Sequence, residues 1–402
     1  MHILLIHQAF AAIDEPGGTR HHEMARQLVG LGYRVTVVTG TISYMTGGSG
    51  GRRPGHSVDD VGVEVIRCRA YGGWHASFPA RVFSFLTFMI SSTWKAAFVP
   101  DVDVVWTTSP PIFQAASGWV VARLRRIGLM LEIRDLWPEF AVAVGVLRQP
   151  ILIRLSLWLE SFLYRHADQI AVNSPGFVEH VTAGGGRDIQ VIPNGVDPTM
   201  FHPEDTGDAF RQEHGLVGKF VVLYAGAHGM SNDLGVLLQT AGYLADRPEI
   251  AFVLLGDGKE KPALQADAAA RGLENVTFLP PLAKNRMSQV LSAADLGVAI
   301  LKPIPAYKTT YPNKVFDYMA AGRPVLLAID GVIRDLVEGA DAGVYTEPGD
   351  APAMAEAIRG LASDPKRARE LGANGRRLVE ARFTRRQTAE QMAAALRKAV
   401  PS

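Results

Sequence analysis

The sequence has one cysteine, Cys68, among 402 residues, so it cannot build a disulfide framework or a thiolate zinc site. Such a chain suits a reducing compartment, and we expect it to be cytoplasmic. Net charge is also nearly lacking. At +1, with no lysine- and arginine-rich arm at either end, there is no field to draw in nucleic acid, and no nucleic-acid partner is expected. No uninterrupted apolar run is long enough to span a bilayer. The opening "MHILLIHQAF" is apolar but has no basic leader and no small-residue cleavage site, so it reads as a buried strand. No strand is followed by the glycine fingerprint of dinucleotide sites, which disfavours a nicotinamide oxidoreductase. No histidine pair has a metal-ligand spacing, and we expect neither metal nor cofactor.

What the chain does have is length and a regular alternation. At 402 residues, with 48% hydrophobic and 20% charged, it is an ordinary globular chain too long for one core. Apolar runs of strand length at 34–40, 102–109, 129–135 and 169–174 alternate with helical patterns. A second series follows at 219–226, 250–258, 275–282, 296–303 and 323–329. Continuous rather than alternating apolar strands are covered on both faces, hence parallel sheets of βαβ units. The predicted class is α/β, two doubly wound Rossmann-like domains facing across a cleft. The first spans 1–195 and the second 219–365, with a turn-rich linker at 196–218 and C-terminal helices at 366–402 packing back on the first domain. Ligands of open α/β sheets bind at the carboxyl edges of the strands.

The loops after those strands hold the candidate chemistry. Gly17 and Gly18, in "EPGGTRHH", open a helix where backbone amides can approach a phosphate, though a glycine pair can also be a plain turn. Gly256 and Gly258 in "LLGDGKEK" give the same two readings. In "YPNKVFDYMAAGRPV", residues 311–325, Pro312 and Asn313 form a helix cap beside Lys314, which together suit an anion. Asp317 lies three residues on, on the face of Lys314, where a carboxylate accepts hydrogen bonds from a ribose diol. The plainer alternative is an intrahelical ion pair. In "EIRDLWPE", Arg134 either pairs with Asp135 to hold a loop or meets substrate. Trp137 reads as packing, and His7, His21 and His22 are polar enough for a cleft.

In order along the chain, "GGTRHHEMARQL", "EIRDLWPE", "VIPNGVD", "LYAGAHG", "LLGDG", "NVTFLPPL" and "YPNKVFDYMAAGRPV" resemble the motifs of the family-4 retaining glycosyltransferases of GT-B fold. The likeness is nearest to the bacterial branch resembling N-acetyl-fucosamine transferases of O-antigen and capsule assembly. It implies a nucleoside diphosphate sugar donor, UDP-linked, held by the second domain as substrate, and a saccharide or lipid-linked saccharide acceptor on the first. By the same resemblance, Gly17 and Gly18 would bring amides to the diphosphate and Leu282 would present main-chain groups to the base. Asp317 would stand where the family's ribose-binding glutamate does, whereas the pattern's other glutamate falls at Thr309 and is missing. The family's basic pair is absent, with only His228 and Gly229 in its place, so Lys314, with Arg20 or Lys302, would carry the phosphate charge. Gly18, Arg134 and Lys314 are the implied catalytic residues. Retention is expected without a protein nucleophile or a metal. A nucleotide-sugar epimerase of the same fold and a silent sugar-nucleotide-binding protein are the competing readings.

From Val65 to Pro100 there is no acidic residue, while Arg67, Arg69, Arg81 and Lys95 accompany Phe78, Phe83, Phe85, Phe88, Trp94 and Phe98. The stretch 78–99 reads either as a buried helix or as one lying on anionic lipid, which would make the protein peripheral on the inner face of the cell membrane.

Overall fold

The computed structural model describes residues 1–15, 17–42, 52–73 and 77–401, with the side chain of Phe78 outside the described residues. The chain divides into two compact units. The first is built on Met1–Ile13, Gly17–Pro193 and the C-terminal run from Arg385, the second on Asn194–Thr384.

The first unit holds eight strands: β1 (His2–Ile6), β2 (Arg34–Gly40), β3 (Gly55–Val58), β4 (Glu64–Cys68), β5 (Val104–Ser109), β6 (Gly128–Ile133), β7 (Gln169–Val172) and β8 (Ile189–Val191). They form one sheet in the order β3-β4-β2-β1-β5-β6-β7-β8, parallel except where β3 meets β4. Every residue of β1, β5, β6 and β7 is buried, as the continuous apolar runs require of strands covered on both faces. One face is covered by the helices Arg20–Gly30 and Arg385–Ala399 through Met24, Leu28, Met392 and Leu396. The other is covered by the helices Phe78–Ala97, Ile112–Arg125 and Pro150–His166.

The second unit carries β9 (Phe220–Ala225), β10 (Ile250–Leu255), β11 (Val276–Leu279), β12 (Leu296–Ile300), β13 (Val325–Ala328) and β14 (Gly343–Tyr345), all parallel, in the order β11-β10-β9-β12-β13-β14. Both sheets change winding direction beside their first strand, β1 between β2 and β5, and β9 between β10 and β12. Loops leaving the two sides of such a strand diverge and open a crevice at its carboxyl end.

Two expected boundaries move. The stretch 196–218 is no linker. Val196, Phe201, Phe210 and Leu216 are buried in the core of the second unit, and its polar, turn-rich surface residues hid those four anchors. The C-terminal helices do not act together either. Pro365–Arg382 belongs to the second unit, where Leu371 and Val379 enter its cores, and only Arg385–Ala399 joins the first. There Arg385 pairs with Glu23 at 3.0 Å, both residues buried.

Candidate functional site

In the second unit the polypeptide leaving β9 passes Gly226 and His228, and the loop leaving β10 packs directly on it. A Cβ at Gly256 would collide with the Gly226 carbonyl, and one at Gly258 with the His228 carbonyl. Both glycines also have φ in the region L side chains rarely adopt. The backbone approach expected for a ligand at Gly256 is therefore taken by the neighbouring loop of the protein itself. The His228 amide donates to the Asp257 carbonyl at 2.8 Å, and the Glu260 amide to the His228 carbonyl at 3.0 Å, which locks the two loops together.

The helix Asn313–Ala320 starts against this double loop. Its N-cap is Pro312, which offers no side-chain acceptor; the Val315 amide turns back to the Pro312 carbonyl at 3.2 Å, which leaves the Asn313 and Lys314 amides without a cap, and Asn313 is exposed. Lys314 points inward. Its stem meets solvent in part, but Nζ is inaccessible, has no hydrogen-bond partner among the described residues and sits 3.7 Å from the centre of the Tyr224 ring. The Tyr224 hydroxyl is spent on the Ala227 carbonyl at 2.7 Å. Burial brings the Lys314 pKa down to about 7. His228 is buried beside it, and among the described residues neither ring nitrogen has a partner. Burial first, then the charges of Lys261 and Lys314, brings its pKa to about 4. His228 is thus neutral and does not replace the missing basic pair, although it has an N–H to donate. Gly229 follows in the same turn, its carbonyl accepting from the Asn232 amide at 3.0 Å.

Asp317 is not paired with Lys314. One turn into the helix its Oδ1 takes Lys284 Nζ at 2.5 Å; among the described residues Oδ2 has no partner, and the side chain is 26% exposed. Lys284 also lies 5.5 Å from the centre of the Phe201 ring. Lys284 and Lys261, whose Nζ donates to the Gly256 and Leu279 carbonyls, are site residues that the motifs did not single out. Leu282 packs its side chain on the core, and neither its N–H nor its C=O is bonded within the protein among the described residues, as a main-chain contact to a base would require. Thr309 ends a short helix, and its hydroxyl donates to the Ala306 carbonyl at 2.7 Å.

In the first unit, Gly17 has φ +144°, and a Cβ on Gly18 would meet only open space. Arg20 faces inward and is removed from the phosphate-binding set. Its Nε and Nη2 hold Glu132 Oε1 at 3.1 and 2.7 Å, and further bonds go to the Ile192 and Pro193 carbonyls. Four of its five N–H directions are consumed. Glu132 Oε2 accepts from Trp106 Nε1 at 3.1 Å and bonds His21 Nε2 at 2.9 Å. Burial alone would raise the Glu132 pKa, but Arg20 and then His21 outweigh it and hold it well below the carboxylate range. Burial brings His21 to about 4, so a neutral imidazole donates to the carboxylate. Its ring stands 4.0 Å from that of His7, whose Nδ1 bonds Thr108 Oγ1 at 2.9 Å. His22 is buried 3.6 Å from Asp59, and Trp137 packs at the edge of the core.

Of the two readings of Arg134, the ion pair with Asp135 is not formed among the described residues. Arg134 follows β6 at the sheet's carboxyl edge, half-buried, with a buried Nε that has no hydrogen-bond partner among the described residues, while Asp135 is exposed. The acid of "EIRD" that takes an arginine is Glu132, and the arginine is Arg20, 112 positions away.

These features agree with what the chain resembles. A glycosyl transferase 4-like domain matches residues 17–195, and a glycosyl transferases group 1 domain matches 219–364. The chain belongs to the GT-B glycosyltransferases. Among its relatives, D-inositol 3-phosphate glycosyltransferase of Nocardia farcinica is 31% identical over 270 residues, 63% of this chain and 58% of that one. The chain thus spans under two thirds of that relative's length. The protein provisionally assigned as the colanic acid biosynthesis glycosyl transferase WcaI of Escherichia coli is 24% identical over 369 residues, 86% of this chain and 88% of that one. Among solved structures, HepE of Anabaena, in complex with UDP and glucose, superimposes with a TM-score of 0.75 at 20% identity over 99% of each chain.

Proposed function

We propose that this GT-B glycosyltransferase moves a sugar, with retention of configuration, from a UDP-linked donor to a hydroxyl of a saccharide or lipid-linked saccharide in cell-envelope polysaccharide synthesis. One observation carries the reading. Lys314 holds an inaccessible amine with no counter-ion among the described residues, at a helix start without a side-chain cap and at the sheet's switch point. Placing a charge there without a partner is costly, and a diphosphate supplies the missing anion. The partly exposed Asp317 carboxylate, with Oδ1 on Lys284, is available to a ribose hydroxyl, and Leu282's unbonded main-chain groups to the base. The solved complex of HepE with UDP and glucose supports the same class of donor. The provisional role of the Escherichia coli relative in colanic acid biosynthesis supports the class of product. An N-acetylated amino sugar is the donor group that the sequence resemblance favours.

In this reading the bond from the sugar's anomeric carbon to the diphosphate oxygen breaks as the acceptor oxygen approaches from the same face. The acceptor's proton passes to the departing diphosphate. Lys314, the first-turn amides and a neutral His228 N–H stabilise the growing charge with groups fixed before reaction. Arg134 and the amides at Gly17 and Gly18 would meet the sugar or acceptor in the first unit, and no divalent metal is required. Thr309 at the position of the family's second acid favours the second reading, a sugar-nucleotide-binding protein without transfer. Calorimetry with UDP, followed by product analysis with and without saccharide acceptors, separates transfer, epimerisation and silent binding. Lys314→Ala should weaken UDP by about 1–3 kcal/mol, the cost of a lost charge-assisted hydrogen bond. Unchanged binding by both Lys314→Ala and Asp317→Ala would overturn the assignment of this helix.

A further inference from the structure

The helix Phe78–Ala97 is built inside out. Ser84, Phe88, Ser92 and Ala96, spaced by four, form its buried stripe, three of the four small. The opposite stripe carries Phe83, Ile90, Trp94 and, at the C-cap, Phe98, which are 54 to 69% exposed. A surface helix ordinarily puts its large apolar groups inward and polar groups outward. The same inversion recurs on Pro150–His166, where Ile151, Leu155 and Trp158 form an exposed stripe at helical spacing. Between these helices lies Ile112–Arg125, which adds the exposed Leu124. All three cover the same face of the first sheet.

Their charge is equally one-sided. The three helices contain Arg81, Lys95, Arg123, Arg125, Arg154 and Arg165, against one acid, Glu160, which is buried and bonded to the Tyr164 hydroxyl. In a chain of net charge +1 this is a marked local excess. Among the described residues, the exposed Arg69, Lys95, Arg123 and Arg154 form no ion pair. A groove of about 900 Å³ opens on the same face, walled by Met89, Ala97, Ala116 and Val120 and rimmed by Arg69 and Lys95.

We infer that this three-helix face is a peripheral docking surface for an anionic phospholipid bilayer, with the outer aromatic stripe inserted and the groove receiving part of an acyl chain. Apolar area flanked by unpaired cations matches the boundary of acyl chains and phosphate headgroups. A second copy of the chain fits less well, since a symmetric contact would press the same cations against each other. No helix among the described residues is long and apolar enough to cross a membrane, so the association is on the surface. Each basic residue at such a surface strengthens association about fivefold, and the inserted side chains add to it. The inference deepens the proposed function by naming where a lipid-linked acceptor would be met, but its test does not use transfer.

The test is co-sedimentation of the full chain with vesicles of phosphatidylcholine alone or with 30% phosphatidylglycerol, on the order of the anionic content of such surfaces. UDP binding and the melting curve are measured on the same samples. We expect binding to the anionic vesicles only, loss of most of it in high salt, and a blue shift of tryptophan emission from Trp94 and Trp158. Ile90→Ser/Trp94→Ser/Phe98→Ser should lower partitioning at least tenfold with folding and UDP binding intact, as should Arg69→Glu/Lys95→Glu. Absence of vesicle binding at low salt overturns the inference even when UDP binds. Binding unaltered by the serine variant overturns insertion, and a wild-type dimer that the serine variant dissociates, without lipid binding, assigns the face to a second copy instead.

Discussion

If a diphosphate is the partner of Lys314, donor binding must take up a proton. Loss of solvation, with no opposing charge, brings the Lys314 pKa from 10.5 to about 7. At pH 8 only about a tenth of the free protein carries that proton, by simple titration about this value. A diphosphate against Nζ favours the charged form and returns the pKa toward the ordinary lysine value of about 10.4. Binding at pH 8 then takes up about 0.9 proton per site. Neighbouring groups do not blur the reading. His228 titrates near 4, the Tyr224 hydroxyl is pushed well above its usual range by burial, and the last ionisation of a phosphate, near about 6, is complete by pH 8. Calorimetry with UDP in buffers of unlike ionisation enthalpy measures the uptake directly. Affinity should fall about tenfold per pH unit between roughly 7.5 and 10. In Lys314→Met the uptake should vanish. Tight UDP binding with no uptake in the wild type, or uptake that survives in Lys314→Met, refutes the reasoning. The same shift has a stability sign. A lysine whose folded pKa lies below its unfolded value makes the fold less stable at low pH, and stability rises as pH climbs from about 7 toward 10.5. Lys314→Met should therefore melt higher than the wild type at neutral pH while binding nucleotide worse.

Other outcomes follow from the same geometry. Arg20→Met leaves Glu132 buried without its cation and should cost about 3–5 kcal/mol of stability in denaturant titration; a variant of unchanged stability but weakened UDP binding would return Arg20 to the donor site. Asp317→Asn keeps the shape but removes the carboxylate, and should weaken nucleoside diphosphates by about 1–2 kcal/mol, whereas equal affinity would mean that Asp317 serves only Lys284. Turnover should persist in chelator if Lys314 and backbone amides carry the diphosphate charge as proposed; activity lost in chelator and restored by magnesium or manganese overturns metal independence.

Much of this architecture is legible in the chain because a parallel strand covered on both faces leaves a continuous apolar signature, and β1, β2, β5, β6 and β9 to β13 all carry it. The antiparallel β3, exposed along its whole length, has no such signature, and β8 and β14 are only three residues each. At the site, the start of Asn313–Ala320 is readable from Pro312 and from the break after Ala321. The side chain of Lys314 is another matter. Whether a lysine beside a helix start faces water or Tyr224 depends on a strand 90 positions earlier, and spacing along one helix does not encode it. For the same reason Asp317 looks like a partner for Lys314 and is taken by Lys284, from a loop 33 positions away.

The helix Phe78–Ala97 shows what pattern alone leaves undecided, because an apolar stripe at helical spacing is the same in sequence whether it faces a core or a membrane. What decides is the stripe behind it. Ser84, Ser92 and Ala96 let the helix lie close to its neighbour Ile112–Arg125, where Ser92 donates to Ser117 Oγ at 3.2 Å and Ser117 to the Met89 carbonyl at 3.1 Å. Close packing on small residues uses up the inner face and leaves the outer stripe largely exposed, with Phe83 meeting only the edge of Tyr71 among the described residues. Lys314 presents the same logic in charge rather than area, since apart from the Tyr224 ring its charged form has no partner among the described residues. An exposed aromatic row and a buried lone cation both lower the stability of the isolated fold, and each cost is recovered only when something binds. For Lys314, whose Nζ would lie 3.0 Å from a Cβ at Gly226, the proposed compensating ligand is an anion. For the aromatic row it is a surface with acyl chains and negative charge. The two sites are therefore separable by experiment: Lys314→Met should abolish proton uptake without changing vesicle binding, and the serine variant of Phe78–Ala97 should do the reverse.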